Sequence, residues 1–327
     1  MCSLFGFLDY QEILPHRMLK KLTQALANAA EERGKDAAGI SYVQDGKIVI
    51  HKSPKPAHKL HFNPPKFTRA VMGHTRMTTQ GSEKNNENNH PFSGVAGDTA
   101  FAFAHNGVLW NDKELRRDRI VPKTTIETDS YIGVQLIEKQ GQLDFDSLKY
   151  MAETVEGSFT FSLLDENNSL FFVKGSNPLC LLHFESIGLY VYASTEDILK
   201  NALKRVGLHV FASERIDVEE GDIIKIDRNG NITRSEFEPK IYRSKYGAWY
   251  GLDDSYYSSN LHEEMLLAYC GCYGVDSEDV EFLLEYGYTC DEVEDLMMDT
   301  SAFKEEVRAI KHMDCEYIHE EYCDCYY

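Results

Sequence analysis

The sequence predicts an α+β domain over residues 1–240 followed by a small acidic helical module. Three observations carry this reading. Short apolar runs with strand character outnumber the helical ones and do not alternate with them, which argues against a regular βαβ layout. Charge is divided unevenly: His262 to Tyr327 holds 19 acidic and 3 basic residues, net −16, whereas residues 1–261 hold 34 acidic and 31 basic, net −3. Cysteine follows the same division, with Cys270, Cys272, Cys290, Cys315, Cys323 and Cys325 in the tail and only Cys2 and Cys180 before it.

Taken in order, Leu4 to Leu8 is short and apolar, a strand that carries Cys2 at the edge of a sheet. Met18, Leu19, Leu22 and Leu26 recur at helical spacing behind Pro15, a natural first position, and Arg33-Gly34 ends that helix. Gly39 to Val43 and Lys47 to His51 read as a hairpin turned at Asp45-Gly46. Ala70 to His74 and Phe101 to His105 are further strands, each running into a polar stretch. Tyr131 to Glu138 and Phe145 to Val155 are helical. Ser158 to Leu164, Leu170 to Lys174, Leu179 to Phe184, Leu189 to Ala193 and Asp222 to Asp227 are strands. Residues 241–261 are aromatic, polar and glycine-containing, and read as a linker to the module at 262–327. There Asn260, Ser277 and Thr289 resemble helix N-caps, two of them with a glutamate three residues on (Glu263, Glu292). Gly287 separates two helices, and Phe303, Val307 and Ile310 mark another.

Composition narrows the function classes. The chain has 327 residues, 43% hydrophobic and 12% aromatic, enough for a full core. No run approaches the roughly 18 apolar residues of a membrane span. Asp9, Gln11 and Glu12 interrupt any signal-peptide layout, so a cytoplasmic protein without a membrane partner is expected. Nucleic acid is not an expected partner, because binding it requires a basic footprint. In such a compartment the cysteines are expected as thiols. The Cys-x-Cys pairs of the tail, with His312 and His319 nearby, lack the usual Cys-x-x-Cys spacing, so neither metal nor cofactor is assigned.

The chemistry gathers around Met1-Cys2. Removal of Met1 would leave a thiol and a free α-amine on one residue, a nucleophile with its own base. Four stretches make sense in relation to it: RGKDAAGI (Arg33 to Ile40), GHTRMTTQG (Gly73 to Gly81), HNG (His105 to Gly107) and TDS (Thr128 to Ser130). Singly, each has a plainer reading. Asn-Gly is the strongest short hairpin signal, Arg76 and Asp129 serve equally as surface charges or a structural pair, and His74, His90 and His105 read as structural supports.

Together, MCSLFGF, RGKDAAGI, GHTRMTTQG, NHPF (from Asn89), HNGVLWN, ETDS, SNPLCL (from Ser176) and ASTEDIL (from Ala193) resemble, in order and spacing, a class II glutamine amidotransferase domain. The nearest likeness is to the glutaminase domain of glucosamine-6-phosphate synthase. The resemblance implies the four-layer αββα sandwich of the N-terminal nucleophile hydrolases. It also implies Cys2 as nucleophile and Asn106 with the Gly107 N–H as oxyanion hole. Arg76 would bind the glutamine α-carboxylate and Asp129 its α-ammonium, with Thr79 a further substrate-binding residue. Ser3, Met77 and Gln80 depart from the family's usual Gly, aromatic residue and His, so an active enzyme with altered glutamine affinity is expected. An acceptor domain is not expected within the 87 residues after Lys240, which are too few to form one. A stand-alone glutaminase delivering ammonia to a separate acceptor protein is therefore expected. The alternative is a non-catalytic or regulatory protein that binds a partner through its acidic tail.

Overall fold

Side chains of a strand point alternately to opposite faces, and in β1 (Ser3–Asp9) both faces are buried. Phe5 and Phe7 pack among helices on one side, Leu4 and Leu8 against a second sheet on the other. The computed structural model describes residues 2–239, 263, 266–267, 270–297 and 300–321. The chain divides into two compact units, Met1–Lys240 and Ile241–Tyr327.

In the first unit, β1 is followed by β2 (Ala37–Gln44) and β3 (Lys47–Ser53), a hairpin whose turn residues Asp45 and Gly46 both have positive φ. The later strands are β4 (Ala70–Arg76), β5 (Phe92–Ala96), β6 (Thr99–Leu109), β7 (Gly157–Asp165), β8 (Leu170–Lys174), β9 (Cys180–Phe184) and β10 (Leu189–Ala193). β11 (Glu214–Ile216), β12 (Asp222–Ile226) and β13 (Ile232–Glu236) complete the set. The helices are α1 (His16–Ala30), α2 (Asp112–Arg117), α3 (Tyr131–Gln140), α4 (Phe145–Thr154) and α5 (Glu196–Val206).

One sheet runs β11-β9-β10-β1-β4-β2-β3 and the other β13-β12-β8-β7-β6-β5. Leu19, Leu22 and Leu26 of α1 and Ile198 of α5 cover the outer face of the first with Phe5, Phe7 and Val191. Ile132 and Leu136 of α3 and Leu148 of α4 cover the second with Phe103, Phe161 and Leu163. Leu4, Met72, Ala102, Ala104, Leu164 and Phe172 fill the space between the sheets. The result is the four-layer αββα sandwich. Each large side chain so buried contributes about 1.5–3 kcal/mol.

Three details differ from the sequence expectation. β1 lies in the middle of its sheet, paired with β10 and β4, so Cys2 opens a central strand and not a marginal one. β5, β11, β13, α2 and α5 are additional; β13 alternates polar residues as an edge strand can, while α5 carries its own punctuation, a Thr195 cap and a left-handed Gly207. In the second unit, α6 (Ser277–Tyr286) is capped by Asp276, whose carboxylate accepts from the Glu278 N–H at 3.1 Å, and not by Ser277. A carboxylate is the stronger partner for a helix N-terminus.

α7 (Cys290–Met297) begins with the expected reciprocal box. Thr289 N donates to Glu292 Oε2 at 2.9 Å and Glu292 N to Thr289 Oγ1 at 3.3 Å. With α8 (Thr300–Glu321), these helices close on Val280, Leu283, Val293, Met297, Phe303 and Val307, a core of their own. The linker at 241–261 and the Asn260 cap lie outside the described residues. No described helix is long and apolar enough to cross a membrane.

Close packing at the β1–β4 pair is set by Gly73, which faces Phe5 in register. A β-carbon at Gly73 would lie 2.2 Å from the Phe5 ring, which is fully buried. Gly73→Ala is expected to cost about 1–3 kcal/mol of stability, the usual cost of overpacking, read as a lower urea midpoint at unchanged slope.

Candidate active site

Cys2 stands where three anchored segments meet. Its thiol donates to the Met77 carbonyl at 3.4 Å, and its own carbonyl accepts from Arg33 Nε at 3.2 Å. The residue is 9% exposed. Behind it the β1–β4 register sets Ser3 opposite Thr75. Ser194, just past β10, accepts the Leu4 N–H at 2.9 Å and the Asn106 amide Nδ2 at 3.4 Å through the same hydroxyl. That oxygen ties the start of β1 to β6 of the other sheet, and so brings Asn106 to the neighbourhood of Cys2.

β6 is suited to carry a site. β5 stops pairing at Phe103, so among the described residues the stretch from His105 to Leu109 has a strand on one side only. The His105 carbonyl is taken by His74 Nε2 at 2.9 Å and the Leu109 N–H by Asp129 Oδ2 at 2.7 Å. Gly107 lies between these two anchored positions. Its φ is +141°, and a β-carbon there would fall 2.0 Å from the Ser158 carbonyl, so only glycine fits. Asn106 is fully buried, its Oδ1 without a partner among the described residues, while Asn177 Nδ2 donates to its main-chain carbonyl at 2.9 Å.

Arg76 ends β4 and is 3% exposed. Its Nη1 donates to Asn89 Oδ1 at 2.7 Å, and its Nη2 to the carbonyls of Gln80 at 2.6 Å and Gly81 at 3.0 Å. A guanidinium has five N–H groups, so donors remain for a carboxylate. Burial pulls the guanidinium pKa down, against the opposing charges of Cys2, Asp129, Asp36 and Glu83. Burial likewise pushes the Cys2 thiol up, with Arg76 opposing and Asp129 reinforcing. Cys2, Arg76 and Asp129 therefore lie within electrostatic reach of one another. Thr79 is half-buried on the loop that follows Arg76, and among the described residues no hydrogen bond joins it to the other five predicted site residues.

The RGKDAAGI stretch supports this loop from behind. Asp36 accepts the Thr78 N–H at 2.7 Å, its own N–H donates to the Arg76 carbonyl at 3.0 Å, and a β-carbon on Gly34 would fall 2.5 Å from Arg76. Ser194, Asn177 and Asp112 escaped sequence reasoning. Ser194 and Asn177 lie inside the ASTEDIL and SNPLCL stretches, which was their only signal.

His74, His90 and His105 are buried beside the site. His90 lies tilted against His74, ring centroids 4.1 Å apart, and among the described residues both of its ring nitrogens lack partners. Desolvation holds His90 well below the ordinary imidazole value and His74 down to about 3, and lowers His105. They are neutral supports, and among the described residues no group of His, Cys, Asp and Glu could hold a metal.

The assembled groups are a thiol, an amide, a guanidinium and a carboxylate, the last two of opposite charge. Over 188 residues the chain is 30% identical to a glutamine–fructose-6-phosphate aminotransferase (isomerizing) of Staphylococcus epidermidis, covering 55% of this chain and 30% of that one. A Staphylococcus aureus protein of the same name is 28% identical over 278 residues, 81% of this chain and 43% of its own. The chain thus spans less than half the length of these curated relatives. No family model matches it. Among solved structures, the glutamine phosphoribosylpyrophosphate amidotransferase of B. subtilis superposes with a TM-score of 0.57 at 21% identity, over 74% of this chain and 50% of that one. The chain is thus similar to class II glutamine amidotransferases in sequence, and shares the sandwich of the solved amidotransferase.

Because the three histidines are neutral in the fold, the unfolded chain takes up protons that the fold refuses. Stability is therefore present in full above about pH 6.5 and falls as pH drops toward 3. His90→Leu, which replaces an unpartnered ring, is expected to flatten this loss, so its advantage over wild type grows from pH 7 to pH 5. Denaturant midpoints across that range check it; parallel pH profiles would contradict it.

Proposed function

We propose that the chain hydrolyses the side-chain amide of glutamine to glutamate and ammonia, through a thioester on Cys2. The convergence of Cys2 with a buried Arg76 and a buried Asp129 of opposite charge carries this reading, because that pair matches the two charged ends of an α-amino acid. The similar proteins, a glutamine–fructose-6-phosphate aminotransferase and a glutamine phosphoribosylpyrophosphate amidotransferase, point the same way.

In this mechanism Cys2 acts with a free α-amine, which requires loss of Met1. The amine takes the thiol proton as sulfur attacks the amide carbon, and returns it to the departing nitrogen. The buried thiol, its pKa pushed up, needs such a base. The oxygen of the tetrahedral intermediate is met by Asn106 Nδ2 and the Gly107 N–H; a donor of this kind contributes about 3–4 kcal/mol to the transition state. Arg76, with Thr79 on the loop that follows it, holds the α-carboxylate through its remaining donors, and Asp129 the α-ammonium. Water then opens the thioester, with the amine as base. As a stand-alone subunit the protein would deliver ammonia to a separate acceptor protein, and the acidic second unit, with its own core, offers a docking module for a basic surface.

Cys2→Ala is expected to abolish glutamate release while leaving the folded circular-dichroism spectrum intact; full activity in that variant would remove Cys2 as the nucleophile, whereas a wild type without activity would favour a non-catalytic, partner-binding role for the fold. Asp129→Asn should lower kcat/KM for glutamine about tenfold to hundredfold, as expected for losing a hydrogen bond to a charged group, and an unchanged value would make Asp129 merely structural. Cutting the chain after Lys240 is expected to leave a folded domain with near wild-type glutamine turnover, measured by the same assay.

A further inference from the structure

Arg76 and Asp129 come from different layers. Arg76 ends a strand of the first sheet, whereas Asp129 precedes a helix that covers the second. No hydrogen bond or ion pair joins the two side chains among the described residues, so neither sheet alone fixes their separation. A small recognition site for one amino acid needs that separation fixed, since a misplacement of about 1 Å can cost a hundredfold in rate.

A chain of contacts spans the gap. Gln80 is held at both of its ends: its main-chain carbonyl accepts from Arg76 Nη2 at 2.6 Å, and its side-chain Nε2 donates to Asp112 Oδ2 at 3.0 Å. Asp112 opens α2 and is 4% exposed. Its carboxylate faces Arg116 Nε, one helical turn on, at 3.9 Å. Arg116 continues outward, its Nη2 donating to the Thr128 carbonyl at 2.9 Å and its Nη1 to that of Ile126 at 3.5 Å. Thr128 immediately precedes Asp129. One buried carboxylate thus stands between the loop that holds Arg76 and the segment that presents Asp129.

We propose that Asp112 is a positioning residue that latches the loop of residues 77–81 to α2, setting the distance between Arg76 and Asp129 to fit the carboxylate and ammonium of one glutamine. The inference rests on the glutamine reading above. Asn106 and Ser194 are held by strand pairing and by one another, the Cys2 main chain is held by Arg33, and the Cys2 thiol meets the loop only at Met77, directly after β4 and three positions before Gln80. Loss of the latch therefore weakens glutamine binding and leaves the chemical step nearly intact. Gln80 is one of the positions at which the sequence departs from the resembling family, and here its amide supplies the donor that Asp112 requires.

The test is steady-state glutamate release by full-length wild type, Gln80→Ala, Asp112→Ala and the double variant. Asp112→Ala is expected to raise KM for glutamine about tenfold, the worth of a hydrogen bond to a charged group, with kcat changed less than threefold. The double variant should be no worse than Asp112→Ala, because both changes remove the same link. Modification of Cys2 by iodoacetamide, which needs neither Arg76 nor Asp129, should proceed at the wild-type rate. A KM unchanged in Asp112→Ala, multiplied losses in the double variant, or equal falls in kcat and iodoacetamide reactivity would each overturn the latch and leave the glutaminase reading standing. A wild type that releases no glutamate would overturn both. Should Asp112→Ala not fold, Gln80→Ala reads the same bond from its more exposed side.

Discussion

The site depends on one constraint: β1 is hydrogen-bonded on both sides, by β4 and by β10. A residue at the start of an edge strand would have solvent and conformational freedom around it. Cys2 instead begins a strand whose neighbours are fixed, so the end of β4 delivers Arg76 and Met77 beside it, and the residue after β10 delivers Ser194. The two-sheet sandwich then does the rest, because Ser194 reaches across to Asn106. Ordering a thiol this way has a cost, since burial disfavours the thiolate. The proposed base on the same residue would answer that cost.

Much of this was legible in the sequence for identifiable reasons. Leu4 to Leu8, Phe101 to His105 and Ser158 to Leu164 are apolar runs and each lies in a strand, although β6 continues through Asn106-Gly107, a dipeptide that singly suggests a turn, to Leu109. Asp45-Gly46 dictates its turn through left-handed backbone. Edge strands are harder to read: β13 needs only one buried face, so its residues look like loop. The cap at Asp276 was missed because Ser277 and Asp276 are both capping types, and only backbone geometry decides between them.

Within the proposed site, the order and spacing of the motifs point to Cys2, Arg76, Thr79, Asn106, Gly107 and Asp129, none of which stands out singly. Residues acting through geometry are not pointed to in this way. Ser194 and Asp112 are ordinary residues in sequence, and their importance arises from what stands 190 and 32 positions away. Partner identity across a sandwich is a property of sheet order, which local patterning does not carry. The same limit applies to Arg76, whose three bonds to Asn89, Gln80 and Gly81 turn a surface-type charge into a buried, aimed one.

The central claim is that one residue supplies both nucleophile and base. Its most direct test is peptide mapping by mass spectrometry after reaction with a diazoketone analogue of glutamine. A single adduct on Cys2, only on chains that have lost Met1, with free glutamine protecting against it, is the result this account predicts. Labelling of chains that retain Met1, or of Cys180 or a cysteine of the second unit in place of Cys2, would contradict it.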